Sequence, residues 1–373
     1  MKQFKILTLG ASGAGKTVFL ASMFKALSIQ KNSSFKLDIE DSQQRKLLNS
    51  IYTQIITGDT WPPGTKDVSE WTFTCQVQTE ELDKYNACQF TYFDYAGGRL
   101  TDLEEDRDFE KVVQQADVAL GLLDGHKISA WLDGSDKQRA DIFLSTDLPS
   151  ILKRMQNLTV PVHFVISKWD ILDGSFTLSQ IREKLSTIPA FAELVKKRGQ
   201  AGSIVRIIPV SAIGLEFATM QPDGSMKKNP GKSPIPFLVE VPMSCVLPDR
   251  LQQLFNERQE REEQLKQEIQ NREGRDSIAS ILATNSDYLG IGSIVFELLF
   301  DLDDGAKKLI KIISFVLTGG SKTIAQFTKA SRRKREATLK SVQNEQTALM
   351  HAINVFYDFE QELLEIFPDS KLV

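Results

Sequence analysis

The segment GASGAGKT at residues 10–17 constrains this chain more than any other part of its sequence. It fits the pattern GxxxxGK[ST], follows the apolar run FKILTL and precedes the helix-like TVFLASMFKAL. That order predicts a strand, then a glycine-rich loop whose amides surround phosphate groups at the N-terminus of a helix. Lys16 would reach the outer phosphates and the Thr17 hydroxyl would bind Mg²⁺. The predicted contact residues are Gly10, Ser12, Gly13, Ala14, Gly15, Lys16, Thr17 and Val18.

Up to about residue 241 the sequence alternates strand-like apolar runs with helix-like segments. This alternation predicts an α/β fold with a mostly parallel sheet covered by helices. A further strand is possible in FKLDIED and a helix in SQQRKLLNSIYTQII, before the turn-rich GDTWPPGT. The predicted main strands are 4–9, 71–77, 89–93, 118–123, 162–166 and 204–210.

Three shorter elements follow the phosphate loop, each at a predicted strand end. In Asp94-Tyr-Ala-Gly97 the carboxylate would hold Mg²⁺ through water and the Gly97 amide would touch a γ-phosphate. In Ser167-Lys168-Trp169-Asp170, Asp170 would accept both N1–H and the exocyclic amine of guanine, while the Lys168 stem packs along the base. The pair Ser211-Ala212, after IVRIIPV, would present a backbone amide to the guanine oxygen.

Over residues 1–248 these four elements resemble those of the Ras-like, translation-factor-related (TRAFAC-type) P-loop GTPases, and among them an uncharacterised bacterial-type member. The resemblance implies the three-layer sandwich of P-loop NTPases, and a guanine-nucleotide switch that uses GTP, GDP and Mg²⁺. Such proteins also sense the γ-phosphate through a Mg²⁺-bound threonine. We assign that role to Thr65 in WPPGT, with Thr60 as the substitute.

The residue after DxxG is often a water-positioning glutamine in this family, but here it is Gly98. Glycine has no side chain that could orient water, so the sequence predicts slow hydrolysis by the isolated protein. Arg99 is the nearest candidate for a stabilising guanidinium in cis, and a surface charge on a switch loop is its alternative interpretation. A partner or a second copy could supply the group in trans. The expected catalytic residues are Lys16, Thr65, Gly97 and Arg99.

Residues 249–373 are predicted to form a helical C-terminal domain, with a final long helix over about 322–367. Two apolar segments at 288–300 and 309–317 are too short to cross a bilayer. Between 305 and 340 the sequence has ten basic residues and the single acid Glu336. This favours a helical bundle with a solvated or partner-binding basic face. The alternative is a dynamin-like GTPase whose apolar and basic residues 288–340 lie on a membrane surface.

The overall charge gives no reason to expect nucleic acid as a partner. The chain has 45 Lys and Arg against 49 Asp and Glu, so no global attraction to nucleic acid is expected. Three cysteines without paired spacing and an N-terminus that reads as a strand predict a cytoplasmic protein, with peripheral membrane contact if the alternative holds. The expected partners are a guanine nucleotide and either a protein or a second copy of the chain.

Overall fold

The computed structural model describes residues 1–29, 35–62, 69–94, 107–221, 225–254, 256–257 and 339–373. The strands of its main sheet are β1 Lys2–Gly10, β2 Phe35–Asp38, β3 Ser69–Gln78, β4 Lys84–Asp94, β5 Val118–Asp124, β6 Val162–Ser167 and β7 Val205–Pro209. Across the sheet they lie in the order β2-β3-β4-β1-β5-β6-β7. All six predicted main strands are confirmed, as is the extra strand in FKLDIED.

Strand pairing makes the sheet mostly parallel. β1 pairs in parallel with β4 and β5, and β6 pairs in parallel with β5 and β7. Only β2 and β3, at one edge, are joined by antiparallel pairing to each other and to β4. Every residue of β5 and β6 is buried, which is typical of parallel strands covered on both faces. The predicted α/β three-layer sandwich is therefore confirmed.

The helices connect these strands in the alternating pattern that the sequence predicts. They are α1 Lys16–Ser28, α2 Ser42–Thr57, α3 Arg107–Gln115, α4 Gly125–Asp133, α5 Lys137–Ile142, α6 Leu148–Met155, α7 Trp169–Leu172, α8 Leu178–Ser186, α9 Pro189–Gln200, α10 Val241–Ser244 and α11 Glu345–Ile366. A small hairpin, β8 Ala218–Met220 and β9 Met226–Lys228, lies after β7. In the described ranges no helix has the length and apolar character that a membrane span requires.

Helix α11 completes the core of the α/β unit. The Phe356 ring meets Phe35 edge-on, with ring centroids 5.2 Å apart, and lies 5.9 Å from the Phe90 ring. Farther along the helix, Glu360 accepts a hydrogen bond of 2.5 Å from the fully buried guanidinium of Arg206 on β7. An apolar stripe and one buried ion pair therefore hold the helix on the sheet.

The chain divides into two compact units, one of residues 1–247 with 335–373 and the other of residues 248–334. The sequence assigns 249–373 to one helical domain, whereas α11 packs with the α/β unit. Residues 258–338 lie outside the described residues, so a separate helical domain stays a prediction. The expected continuous helix over 322–367 is wrong at 341–344. There, the Asn344 side chain accepts the Thr347 amide at 2.9 Å and starts a new helix with a capping box.

Candidate nucleotide-binding site

The phosphate loop lies between the end of β1 and the start of α1, where the sequence predicts it. Gly13 and Gly15 have φ angles of 80° and 84°, in the left-handed region that favours glycine. The Phe19 amide donates to the Gly15 carbonyl at 2.8 Å, so the helix begins directly after the loop. This geometry turns the helix N-terminus toward the loop, where an anion is favoured.

Lys16 is buried against its own loop. Its ammonium donates to the Gly10 carbonyl at 2.7 Å and to the Ala11 carbonyl at 3.3 Å. Burial lowers the pKa of Lys16, and the negative charge of Asp94 partly opposes that shift. A phosphate group would favour the charged ammonium in the same way, so the site fits an anionic ligand.

Two of the three predicted Mg²⁺ ligands lie at or after the carboxyl ends of neighbouring strands, β1 and β4. Asp94 ends β4, is buried, and is paired in register with Thr8 of β1. Thr17 is the second residue of α1. Mg²⁺ prefers oxygen ligands such as hydroxyl and carboxylate groups, so the side chains of these residues fit the ion. Thr65, the third predicted ligand, lies outside the described residues, and the substitute Thr60 is exposed after α2.

Ser167 ties the predicted base-binding segment to the phosphate loop. Its hydroxyl is buried, lying 2.8 Å from the Ala14 carbonyl of that loop and 3.1 Å from the Leu123 carbonyl of β5. The segment SKWD departs from the common [NT]KxD only at this first residue. A serine hydroxyl still donates a hydrogen bond, so the departure keeps the connection between the two parts of the site.

Lys168 is held by a residue that the sequence reasoning missed. Its backbone has φ 55°, and its ammonium donates to the Asp124 carboxylate at 2.8 Å. Asp124 ends β5 and also caps α4 by accepting the His126 amide at 3.0 Å. The next residue, Gly125, approaches so closely that an added Cβ would lie 2.3 Å from the Ser167 carbonyl oxygen. The sequence did contain a signal for this role, because Asp124 directly follows the predicted strand 118–123 and is itself followed by glycine.

Asp170 and Ser211 meet at the other side of the site. The Ser211 hydroxyl lies 2.6 Å from one carboxylate oxygen of Asp170 and accepts the Gly214 amide at 3.0 Å. Burial raises the pKa of Asp170, although the Ser211 hydrogen bond acts in the opposite direction. The Ser211 amide donates to the Phe237 carbonyl at 3.1 Å, so it is already paired within the fold. The Ala212 amide therefore remains the candidate for the predicted hydrogen bond to the guanine oxygen.

The hairpin β8–β9 contacts the segment that precedes the predicted switch threonine. The Trp61 indole donates to the Met226 carbonyl at 3.1 Å, and the Lys228 ammonium lies 5.3 Å from the Trp61 ring centroid. Lys228 also donates to the carbonyls of Gln54 and Gly58, at the C-terminus of α2. A cation there is favoured by the helix dipole. The hairpin thus holds one end of this segment.

The remaining predicted catalytic residues, Gly97 and Arg99, lie outside the described residues, together with Gly98. The structure therefore brings together Lys16, Thr17 and Asp94 on the phosphate side. On the base side it brings together Ser167, Lys168, Asp170 and Ser211, with Ala212 adjoining them.

A glycine-rich loop with a buried lysine, between a central parallel strand and a helix, defines the nucleotide site of the P-loop NTPase fold. The family model described as Double-GTPase 1 matches residues 7–126. This range includes the phosphate loop and Asp94 but ends before SKWD. The chain is thus similar, over this range, to a P-loop GTPase domain, which supports GTP binding and hydrolysis as its general activity. No curated protein matches the chain.

Proposed function

We propose that the protein is a Ras-like, translation-factor-related molecular switch that binds GTP and GDP with Mg²⁺ and hydrolyses GTP slowly. Its nucleotide state would pass through residues 249–373 to a protein partner or a second copy of the chain. The observation that carries the proposal is the hydrogen bond from Ser167 to the Ala14 carbonyl. It joins the phosphate loop to the segment whose Asp170 is suited to guanine, so one nucleotide would contact both.

Different residues of the described site would bind the phosphates, Mg²⁺ and the base. The loop amides and Lys16 would hold the phosphates, while Thr17 and Asp94 would hold Mg²⁺, which supplies charge neutralisation at the phosphates. Asp170 would accept two N–H groups of guanine, an arrangement that the adenine edge does not offer. Asp124 would keep the Lys168 stem beside the base through its ion pair. These interactions support guanine over adenine as the base.

Slow hydrolysis follows from the sequence directly after the DxxG element. Phosphoryl transfer depends on positioning the attacking water and on neutralising charge, and Gly98 has no side chain for the first task. A group from Arg99, from a partner or from a second copy would complete catalysis. We expect the turnover per protein molecule to rise with protein concentration if the second copy supplies it. A constant turnover over a hundredfold dilution would exclude self-activation.

The first test measures binding of fluorescent GDP, GTP and ATP analogues to the full chain in Mg²⁺. Guanine nucleotides should bind, ATP should not compete, and Lys16→Ala should weaken both guanine nucleotides. Lys25→Ala, on the same helix but away from the loop, is the matched control and should leave binding unchanged. Equal affinity for ATP and GTP would contradict the proposal.

The dynamin-like alternative rests on residues 288–340, which lie almost wholly outside the described residues. Nothing in the described part favours it over the switch. Sedimentation of the protein with anionic liposomes, with and without a nonhydrolysable GTP analogue, separates the two, since nucleotide-linked lipid binding is expected only of the alternative.

A further inference from the structure

The aromatic side chain of Phe367, directly after α11, contacts one base-binding loop, SKWD at 167–170, and a neighbour of the other, Ser211-Ala212. Phe367 meets Trp169 edge-on, with ring centroids 5.4 Å apart and an interplanar angle of 84°. The same ring lies 6.3 Å from Phe237, also edge-on. Trp169 precedes Asp170 directly, and Phe237 exchanges two backbone hydrogen bonds with Ser211. A single side chain therefore packs against a neighbour of each partner of the Asp170–Ser211 hydrogen bond.

The segment that follows Phe367 is anchored to the α/β unit at two further points. Asp369 accepts an ion-pair hydrogen bond of 3.0 Å from Arg182 on α8. The Leu372 amide donates to the Val205 carbonyl of β7 at 2.9 Å, which places the tail along the edge of the sheet. We call residues 367–372 the tail. These anchors fix the Phe367 ring against the loops.

The surroundings leave the loop room to move when this contact is lost. A cavity of about 400 Å³ lies beside Trp169, between residues 173–179 after α7 and residues 366–369, which comprise the last residue of α11 and the start of the tail. Trp169 itself is almost fully buried and its ring is large. Truncating Phe367 would enlarge this cavity at the Trp169 ring, and packing would no longer define the position of the loop.

We propose that the tail is a positioning element for base recognition, in which Phe367 holds Trp169 and thereby the carboxylate of Asp170 in place. Phe367 is not part of the phosphate loop or of SKWD, so its effect passes through these neighbours. The inference rests on the proposed guanine binding and adds to it the dependence of base discrimination on α11 and its tail. Loss of the contact should loosen recognition of the base more than recognition of the phosphates.

The experiment compares GDP with IDP, which lacks the exocyclic amine that Asp170 would accept. For Phe367→Ala in the full chain, the affinity for GDP should fall about three- to tenfold, the range that an edge-on aromatic contact supports. The affinity for IDP should fall less, so the GDP-to-IDP ratio decreases. Lys16→Ala should weaken both nucleotides and leave that ratio unchanged. Glu365→Ala, at an exposed position of α11 that does not line this cavity, is the control and should leave both affinities unchanged.

The outcomes separate this inference from the proposed function. If the wild-type protein does not prefer GDP to IDP, reading of the amine by Asp170 is wrong and the inference is wrong with it. If the wild type does and Phe367→Ala keeps the full ratio, the inference alone is overturned. Phe367→Trp, which keeps an aromatic edge, should restore the ratio.

A second set of variants decides the matter if Phe367→Ala does not fold. Asp369→Arg places like charges at the anchor on α8, where both side chains are partly exposed, so the fold should tolerate it. It should lower the GDP-to-IDP ratio, and the exchanged pair Arg182→Asp with Asp369→Arg should restore it. An unchanged ratio in the folded single variant would overturn the inference.

Discussion

Replacing Asp170 by Asn should reverse the choice of base from guanine to xanthine. Guanine presents two N–H donors to a carboxylate, whereas xanthine presents one N–H and a carbonyl oxygen. The Asn side chain has nearly the same shape and offers one acceptor and one donor. Its oxygen can still accept the Ser211 hydroxyl, which lies 2.6 Å from the carboxylate. The substitution therefore changes the pattern of donors and acceptors while keeping the local packing.

The expected size follows from two hydrogen bonds to a charged group. In Asp170→Asn one guanine N–H faces the amide N–H₂ without an acceptor and the other loses its charged acceptor, so GDP binding should weaken by about 3 kcal/mol, or roughly a hundredfold in Kd. The affinity of this variant for XDP should rise by a similar factor. Displacement of a fluorescent nucleotide by GDP and XDP measures both constants. Asp173→Asn changes an exposed carboxylate three residues away and should alter neither. If Asp170→Asn still prefers GDP, Asp170 does not read the base and our assignment of SKWD is wrong.

The same substitution has a consequence for stability without nucleotide. Burial raises the pKa of Asp170 above its ordinary value of 3.8, so the folded chain binds the proton more tightly than the unfolded chain. The charged carboxylate therefore lowers stability at neutral pH, and this loss disappears as pH falls through the raised pKa toward 3.8. Asp170→Asn should unfold at higher urea than wild type at pH 7.5, by a margin that shrinks in acid. An equal or growing margin in acid would contradict the pKa assignment.

Two further substitutions test the framework of the site. Gly125→Ala places a Cβ against the Ser167 carbonyl and should weaken guanine-nucleotide binding several-fold in calorimetry. Gly134→Ala should not, because its Cβ meets nothing within 4 Å, although its φ of 69° makes it somewhat less stable. Glu360→Ala leaves the buried Arg206 guanidinium without its carboxylate and should cost about 3–5 kcal/mol in urea unfolding. Glu360→Gln, which keeps an acceptor, should cost less, and equal losses would show that the ion pair is not the cause.

The sequence was sufficient for features that depend on neighbouring residues. The phosphate loop could be placed because its glycines, its lysine and the flanking strand and helix lie within one short segment. β5 and β6 could be placed because their apolar runs end in polar residues at the edge where the site forms. The capping pair Asn344 and Thr347 was also visible, but the helical pattern on both sides of it concealed the break.

Features that join distant segments could not be predicted in this way. No local pattern shows that α11 returns to cover the sheet. Arg206 was the one available hint, because a charged residue inside the apolar strand IVRIIPV needs a buried partner. The sequence did not say that this partner is Glu360. The same limit applies to the Ser211 amide, because its hydrogen bond to the Phe237 carbonyl joins residues that are far apart in the sequence.

The packing of α11 also sets a condition on synthesis of the chain. Phe35 and Phe356 come from opposite ends of the sequence, yet they share one core. A nascent chain that already contains every nucleotide motif still lacks the helix that covers β4 and the tail behind Trp169. Contacts of such high sequence separation form late, and the apolar faces that they cover remain exposed until then. The ribosome must therefore finish residues 345–372 before the base-binding loops acquire their support.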